Sequence, residues 1–165
     1  MSAIAGARIV LRPILPGDMP AVEEWWPEAA AVVRGRRDPE IIDFASALAS
    51  FQMIEGNGAT LVIARSADPA PIGLVTYRAG SPAAGWLTVE FLALSVGRRG
   101  WGFGSEAVRL IESAGLAERF LASVYVRNGL GLYFWLRMGY RPVRPEEAFW
   151  REREPEDIIS MVRTK

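Results

Sequence analysis

Residues 92–105 carry the densest chemistry in the chain. They read Leu92-Ala93-Leu94-Ser95-Val96-Gly97-Arg98-Arg99-Gly100-Trp101-Gly102-Phe103-Gly104-Ser105. Phe91 to Leu94 has the character of a strand, and beyond Gly104 the residues Val108, Ile111 and Ala114 or Gly115 recur at helical spacing. A helix opening at this point presents backbone N–H groups with no partner inside it, and its dipole adds partial positive charge. Gly100, Gly102 and Gly104 let the main chain approach a ligand without Cβ interference, while Arg98 and Arg99 supply full charge at the rim. Such a turn can bind a phosphate or pyrophosphate. Glycines at a strand-to-helix turn also serve plain helix–strand packing, and the loop alone leaves both readings open.

The spacing excludes two other phosphate motifs. A P-loop needs Gly-Lys followed by Ser or Thr at the helix start, and the chain has no lysine before Lys165. A dinucleotide fingerprint needs G-x-G-x-x-G, and Gly100, Gly102 and Gly104 are in the wrong register for it. Neither cysteine nor histidine is present. Thiolate nucleophiles, the usual zinc sets and Ser-His triads are thereby removed, which leaves carboxylates, tyrosines, backbone groups and water to do chemistry.

Arg99-x-x-Gly102-x-Gly104 resembles the acyl-CoA pyrophosphate loop of the GCN5-related N-acetyltransferases (GNAT family), and Leu92 to Gly100 is similar to the strand and turn that precede it. A second block agrees. Asn128, the short helix after it and Gly139-Tyr140 resemble the family's asparagine, helix and Gly-Phe/Tyr ending, about 30 residues further on. Val10-Leu11-Arg12-Pro13 with Asp18 and Trp25, and the helix start Ser105-Glu106-Ala107-Val108, resemble the branch that holds ribosomal-protein N-terminal acetyltransferases and some aminoglycoside 6'-N-acetyltransferases.

The elements that must position these residues read as one domain over residues 1–165, since a chain of this length with half its residues apolar can bury a full core. Strands are expected at Ala7 to Ile14, Thr60 to Ala64, Ile72 to Arg78, Trp86 to Leu94 and Ala122 to Val126, with closing strands at Tyr140 to Val143 and Asp157 to Arg163. Asp18 is read as the cap of a helix through Glu23 and Trp25 that Pro27 interrupts or restarts, and Asp38-Pro39 starts another, with Ile41, Phe44, Leu48 and Phe51 on one stripe before Gly56-Asn57-Gly58. The loop helix runs from about Gly102 to Glu118. Its crossover makes the strands before and after it candidates for parallel pairing. The expected class is α/β (mixed α+β): a twisted, mostly antiparallel mixed sheet of about six or seven strands with helices on both faces. The resemblance implies a splay between the fourth and fifth strands, where the acyl-CoA arm lies.

Net charge is formally zero, with 19 basic and 19 acidic residues, so nothing supports the electrostatic grip that nucleic acid or an anionic membrane requires. Arg34, Arg36 and Arg37, flanked by Asp38 and Glu40, read as a solvated helix end. The first eight residues do not read as a signal peptide, and no apolar stretch reaches the roughly 18 residues of a membrane span. A cytoplasmic protein is expected, as monomer or homodimer.

The resemblance implies acetyl-CoA as co-substrate, without a metal, and a small-molecule or peptide amine as acceptor. The pyrophosphate would be held by residues Arg99, Gly100, Trp101, Gly102, Phe103 and Gly104, with Ser105, Arg98 and Val96 beside them, and Asn128 and Trp135 on the following helix. A backbone N–H near Leu94 would polarise the thioester carbonyl. Glu90 is the only acid on its strand and can deprotonate the ammonium directly or through water; a solvent-facing residue or a salt bridge is its other reading. Seven residues after the asparagine many family members place a tyrosine that protonates the sulfur. Here that position is Trp135, and Tyr133 falls on roughly the opposite side of the helix, in the place of a packing residue beside Phe134. Trp25, Trp26, Phe44 and Ala148-Phe149-Trp150 can wall an acceptor pocket, and Glu23, Glu24, Glu28, Glu146, Glu147 and Glu152 can attract a cationic amine. The reading is an N-acetyltransferase acting by direct attack in a ternary complex, since no cysteine can carry an acyl group. A transferase of longer acyl groups and an inactive CoA-binding or sensing module are the alternatives.

Overall fold

Leu61 to Ala64 are four consecutive buried residues, the signature of a strand covered on both faces. The computed structural model describes residues 3–34, 43–52, 57–150 and 156–165. Its strands are β1 (Ile4–Ala5), β2 (Ile9–Pro13), β3 (Asn57–Arg65), β4 (Asp68–Ala79), β5 (Trp86–Leu94), β6 (Arg119–Tyr125), β7 (Arg141–Pro142) and β8 (Ile158–Thr164). The helices are α1 (Met19–Arg34), α2 (Phe44–Gln52), α3 (Phe103–Ser113) and α4 (Gly129–Arg137). One sheet of eight strands, in the order β1-β2-β3-β4-β5-β6-β8-β7, takes in every strand among the described residues. The strand beyond the expected seven is Ile4–Ala5, folded back on β2 by a turn in which Gly6 N–H donates to Ile9 O.

All pairs are antiparallel except β5 and β6, whose parallel register runs from Trp86↔Arg119 to Val89↔Ala122 and goes no further. Beyond it β5 continues to Leu94 and β6 to Tyr125 as the two arms of a fork. The cause lies in β5. Tyr77 on β4 faces Val89, but its neighbour Thr76 faces Phe91, so Glu90 is an extra residue without an opposite number. Such a bulge bends the strand and raises its twist. It also shifts the side-chain alternation. Leu87 and Val89 pack into the core under α3 and α4, as do Leu92 and Leu94, whereas Phe91 packs into the second core under α1 and α2.

Three expectations need correction. Helix α1 runs through Pro27 instead of breaking there, because its buried stripe of Val22, Trp26 and Ala29 is held against the sheet and outweighs the backbone bond that proline forfeits. Asp18 does not cap that helix. It is 7 % exposed, takes both Nη atoms of Arg12 at 2.7 Å and accepts the Leu15 N–H. Helix α3 stops at Ser113, with Gly115 at φ 76 just beyond, short of the expected Glu118. For α2, Asp43 supplies the observed cap, accepting Ser46 N–H and Oγ–H; Asp38, Pro39, Ile41 and Gly56 lie outside the described residues. No helix among those described is long and apolar enough to cross a membrane.

The Arg12–Asp18 pair fastens the entry of α1 to β2. Hydrogen bonding from Arg12 holds the Asp18 carboxyl below its ordinary value, against the opposing effect of burial. A depressed carboxylate stabilises the fold above its unfolded pKa of about 4 and loses that contribution as pH falls through the folded value. Asp18→Asn should therefore cost about 2 kcal/mol at pH 7. In chemical denaturation at a series of pH values, the gap to the wild type should close below about pH 4.

Candidate active site

The loop after β5 is built on its glycines. Gly100 and Gly102 adopt φ 79 and φ 83, which L side chains rarely take, and Gly102 becomes the residue from which α3 starts. The first helical bond donates Glu106 N–H to Gly102 O, so the N–H groups of Phe103, Gly104 and Ser105 have no partner within the helix. Gly104 lies against α4 and β5: a Cβ there would make ordinary contact, 3.6 Å from the Phe134 ring and 3.7 Å from Leu94.

Arg99 turns inward. Its Nε–H donates to Leu94 O at 3.0 Å, and burial lowers the guanidinium below its ordinary value while the charge of Glu28 offsets part of that. Arg98 remains exposed. The loop's outer side is clasped by Arg8, which no local sequence signal indicates. Its backbone N–H and Nε–H donate to the two oxygens of Glu106 at 2.8 and 2.9 Å, and Nη1–H donates to Trp101 O at 2.9 Å. The guanidinium also lies over the Phe103 ring at 5.2 Å. Burial raises the Glu106 carboxyl, and the hydrogen bonds from Arg8 outweigh it to leave the group below its ordinary value.

The fork opens into a cleft of about 550 Å³. Its β5 wall is Val89 to Leu94, its β6 wall Ser123 to Tyr125, and Gly100, Gly102, Gly104 and Ser105 stand at one mouth. Ser95 N–H donates to Ile72 O, which makes 93–74 and 91–76 the other bonded pairs of β5 with β4. The N–H groups of Leu92 and Leu94 then point toward the fork. Gly73 lies opposite Leu94, where a Cβ would fall 2.5 Å from Ala93 O.

Glu90 lines the cleft and also makes the salt bridge that was its other reading, with Arg78 Nη2 at 2.7 Å from Oε1. Its Oε2 has no hydrogen-bond partner among the described residues. Thr88, two residues earlier, is buried and donates to Ser81 O. On α4, Asn128 accepts the Gly131 N–H at 2.8 Å, and its amide occupies the space a Cβ on residue 131 would need.

The structure gathers Glu90, Leu94, Arg99, Gly100, Gly102, Gly104, Ser105, Asn128 and Trp135 around this one cleft; Val96, Arg98, Trp101 and Phe103 are not part of its wall. Trp101 is 68 % exposed and contributes its carbonyl to Arg8. Trp135 is only 5 % exposed and stands edge-on to Tyr140 and Phe134. Tyr133 is no packing residue. It is 59 % exposed on the cleft wall, its hydroxyl accepting from Arg137 Nη1 at 3.5 Å, because the wall follows the Leu130, Tyr133, Phe134, Arg137 side of α4.

The expected acceptor walls are elsewhere. Trp26 and Phe44 are core residues in one cluster with Phe91, and Phe149 and Trp150 meet Trp86 edge-on at the closed end of the fork. Glu147 is bound by Arg141, while Glu23, Glu24 and Glu28 lie exposed along α1 and Glu152 is outside the described residues. No three His, Cys, Asp or Glu side chains gather as a metal set among the described residues.

No protein-family model matches the chain, and no curated protein does. Solved structures match over its whole length. An acetyltransferase from Thermus thermophilus superposes with a TM-score of 0.75 over 99% of this chain and 100% of that one, at 18% identity. A GCN5-related N-acetyltransferase from Kribbella flavida gives 0.63 over 95% and 98%, at 20% identity. The PaiA N-acetyltransferase from Thermoplasma acidophilum, solved in complex with coenzyme A, gives 0.64 over 100% of both chains at 14% identity. At these identities the likeness is one of fold. The chain has the fold of the GCN5-related N-acetyltransferases.

The clasp makes a prediction about the loop. Arg8→Ala frees Trp101 O and one oxygen of Glu106; if the loop holds an acyl-CoA pyrophosphate, acetyl-CoA affinity measured by calorimetry should then fall by roughly tenfold, in keeping with the loss of charge-assisted hydrogen bonds. Arg8→Lys should not restore it, because one ammonium cannot reproduce the two divergent bonds of the guanidinium to Glu106 and Trp101 O. Unaltered affinity in both variants would show that the loop holds its shape without the clasp.

Proposed function

We propose that the chain is an acetyl-CoA-dependent N-acetyltransferase that acetylates a primary amine by direct attack in a ternary complex. The observation that carries this reading is the fork itself: a bulged carboxylate, Glu90, at its vertex and a glycine-rich helix start at its mouth, in one cleft. The bound co-substrate supplies an acetyl thioester. The N–H groups of Phe103, Gly104 and Ser105 would hold its pyrophosphate, aided by the dipole of α3, and Asn128 and the exposed edges of β5 would line its arm.

The Leu94 N–H, turned toward the fork, is positioned to donate to the thioester oxygen as negative charge develops there. Leu92 N–H has the same direction one pleat earlier. Glu90 takes the proton from the ammonium, directly or through water, using the oxygen that Arg78 does not occupy. The amine nitrogen then bonds to the carbonyl carbon as the C–S bond breaks. The leaving thiolate takes its proton from water, since Trp135 carries no acidic group and a thiol of pKa about 8.5 needs no strong acid near neutral pH.

Acetyl-CoA turnover, followed by free-thiol release over a panel of amines, tests the reading. An inactive CoA-binding module would bind acetyl-CoA and release nothing, and a longer-chain transferase would prefer a longer acyl-CoA. Glu90→Gln should lower kcat by about 10² with little change in acetyl-CoA affinity, and the deficit should shrink at alkaline pH, where the free amine predominates. Wild-type turnover in that variant at pH 7 moves the base to a water chain.

Tyr133→Phe should keep most of kcat, because the hydroxyl is engaged by Arg137 at the cleft's outer wall. A collapse of kcat with acetyl-CoA binding intact would identify Tyr133 as the acid that protonates the thiolate.

A further inference from the structure

The sheet-facing stripe of α1 runs through Val22, Trp26 and Ala29, and one turn further on it reaches Val32 and Val33. Val22 and Trp26 pack into the second core, with Met19, Trp25 and Ala30 beside them. Val32 and Val33 pack into neither core and are only partly buried, although helical phase places them on the side of Ala29, which is fully buried. The sheet has parted where they meet it. Both valines line the cleft between β5 and β6, together with Ala29.

Side-chain alternation tells which substrate this apolar wall meets. Ala122 and Val124 of β6 pack into the core under α3 and α4, so Ser123 and Tyr125 project to the opposite face, toward α1. On β4, Tyr77 packs into that same core, which puts its neighbour Arg78 on the α1 side and, through their ion pair, Glu90 with it. The glycine loop opens α3 and Asn128 opens α4, so the co-substrate takes their side and the α1 side is left to the acceptor. Charge is scarce there. Glu90 is the only acid in the described lining of the cleft, and Arg78 already holds one of its oxygens. The other charged lining residues, Arg99 and Arg137, are cations, while Glu23, Glu24 and Glu28 lie on the exposed side of α1, outside the lining. One ammonium can be matched in this cleft. A second would find valines or a guanidinium.

We infer that Val32 and Val33 receive the apolar body of the acceptor, so that the substrate is a monoamine on an aliphatic or aromatic chain, and not a polyamine or an aminoglycoside. This rests on the transferase reading above. The chain of such an amine covers the part of the α1 stripe that the parted strands leave bare, which removes apolar surface of both partners from water, while its nitrogen meets the free oxygen of Glu90.

A series of acceptors tests the inference. With acetyl-CoA saturating, kcat/KM should rise roughly threefold for each methylene from ethylamine to hexylamine, as burial of an alkyl chain requires. These amines are of nearly equal basicity, so the slope reads the chain and not the nucleophile. Hexamethylenediamine, of the same length with a second ammonium, should fall roughly tenfold below hexylamine. Val33→Thr, close in shape but polar, should flatten the slope at unchanged KM for acetyl-CoA, and Val33→Asp should reverse the order of hexylamine and the diamine; retained acetyl-CoA affinity certifies that each variant is folded. A peptide with leucine at its free N-terminus that outruns hexylamine would keep the wall and assign the amine to a peptide. A flat series in the wild type, a wild-type slope in folded Val33→Thr, or spermidine as the best acceptor would overturn the apolar wall and leave the transferase reading standing. Calorimetry of hexylamine in excess CoA reads the wall without turnover. Val33-dependent binding in a chain that releases no thiol with any amine would retain the wall and overturn the transferase, and no binding would overturn the wall.

Discussion

The parting of β5 and β6 is the constraint on which the rest of the structure depends, and it originates in one surplus residue. A parallel pair exchanges evenly spaced hydrogen bonds and holds together as long as both strands keep the same twist. Glu90 breaks that condition by adding a residue opposite no partner on β4, and the pairing with β6 ends at the residue before it. Past that point the β6-facing backbone groups of Leu92 and Leu94 are left without a strand. Unpaired N–H and C=O groups in a partly buried place are costly, so they require either water or a ligand. Arg99 satisfies the Leu94 carbonyl, which leaves the N–H groups as the exposed donors of the fork.

The same surplus residue divides the molecule's two cores. Because alternation shifts at Glu90, the aliphatic residues Leu92 and Leu94 serve the core under α3 and α4, while Phe91 joins Trp26, Phe44 and Phe51 in an aromatic cluster under α1 and α2. Packing on both faces then resists any slip of β5, since moving it by one residue would send each set to the wrong side. The carboxylate at the bulge is thus held in place by packing on both faces of its strand and by Arg78 on the neighbouring one.

The glycine loop was legible in the sequence because three glycines and two arginines fall where the apolar period changes from strand to helix. The parallel pair was legible as well, since a helix of α3's length between two strands permits a crossover. The bulge was not. Residues 88–92 contain no glycine or proline to mark it, and it exists only through the pairing with Thr76. Arg8 lay beyond reach for a related reason: its partner Glu106 is 98 residues away. Pro27 shows the reverse case, where a strong local signal loses to burial of Val22, Trp26 and Ala29. On α4, periodicity gave the angle between Tyr133 and Trp135 correctly but not which of the two would stand on the open wall. That depended on Phe134 meeting Gly104 and on Trp135 meeting Tyr140, both contacts made by distant elements.

Tyr140 also explains why α4 presents this side to the fork. Its hydroxyl donates to Glu112 of α3 at 2.8 Å, and Arg163 of β8 donates to the other oxygen of the same carboxylate at 2.8 Å. Burial, then the charge of Glu112, push the Tyr140 phenol far above its ordinary value, so it remains a neutral donor at any physiological pH. A neutral phenol and one guanidinium together satisfy a carboxylate that is itself mostly buried, and the arrangement ties the end of α4 to α3 and to the strand beside β6. With the end of α4 fixed in this way, rotation of the helix that would turn Trp135, 5 % exposed at the margin of the cleft, further into the open would have to break the Tyr140 bond and expose a core indole. The exposed face of α4 is thus set by its buried one.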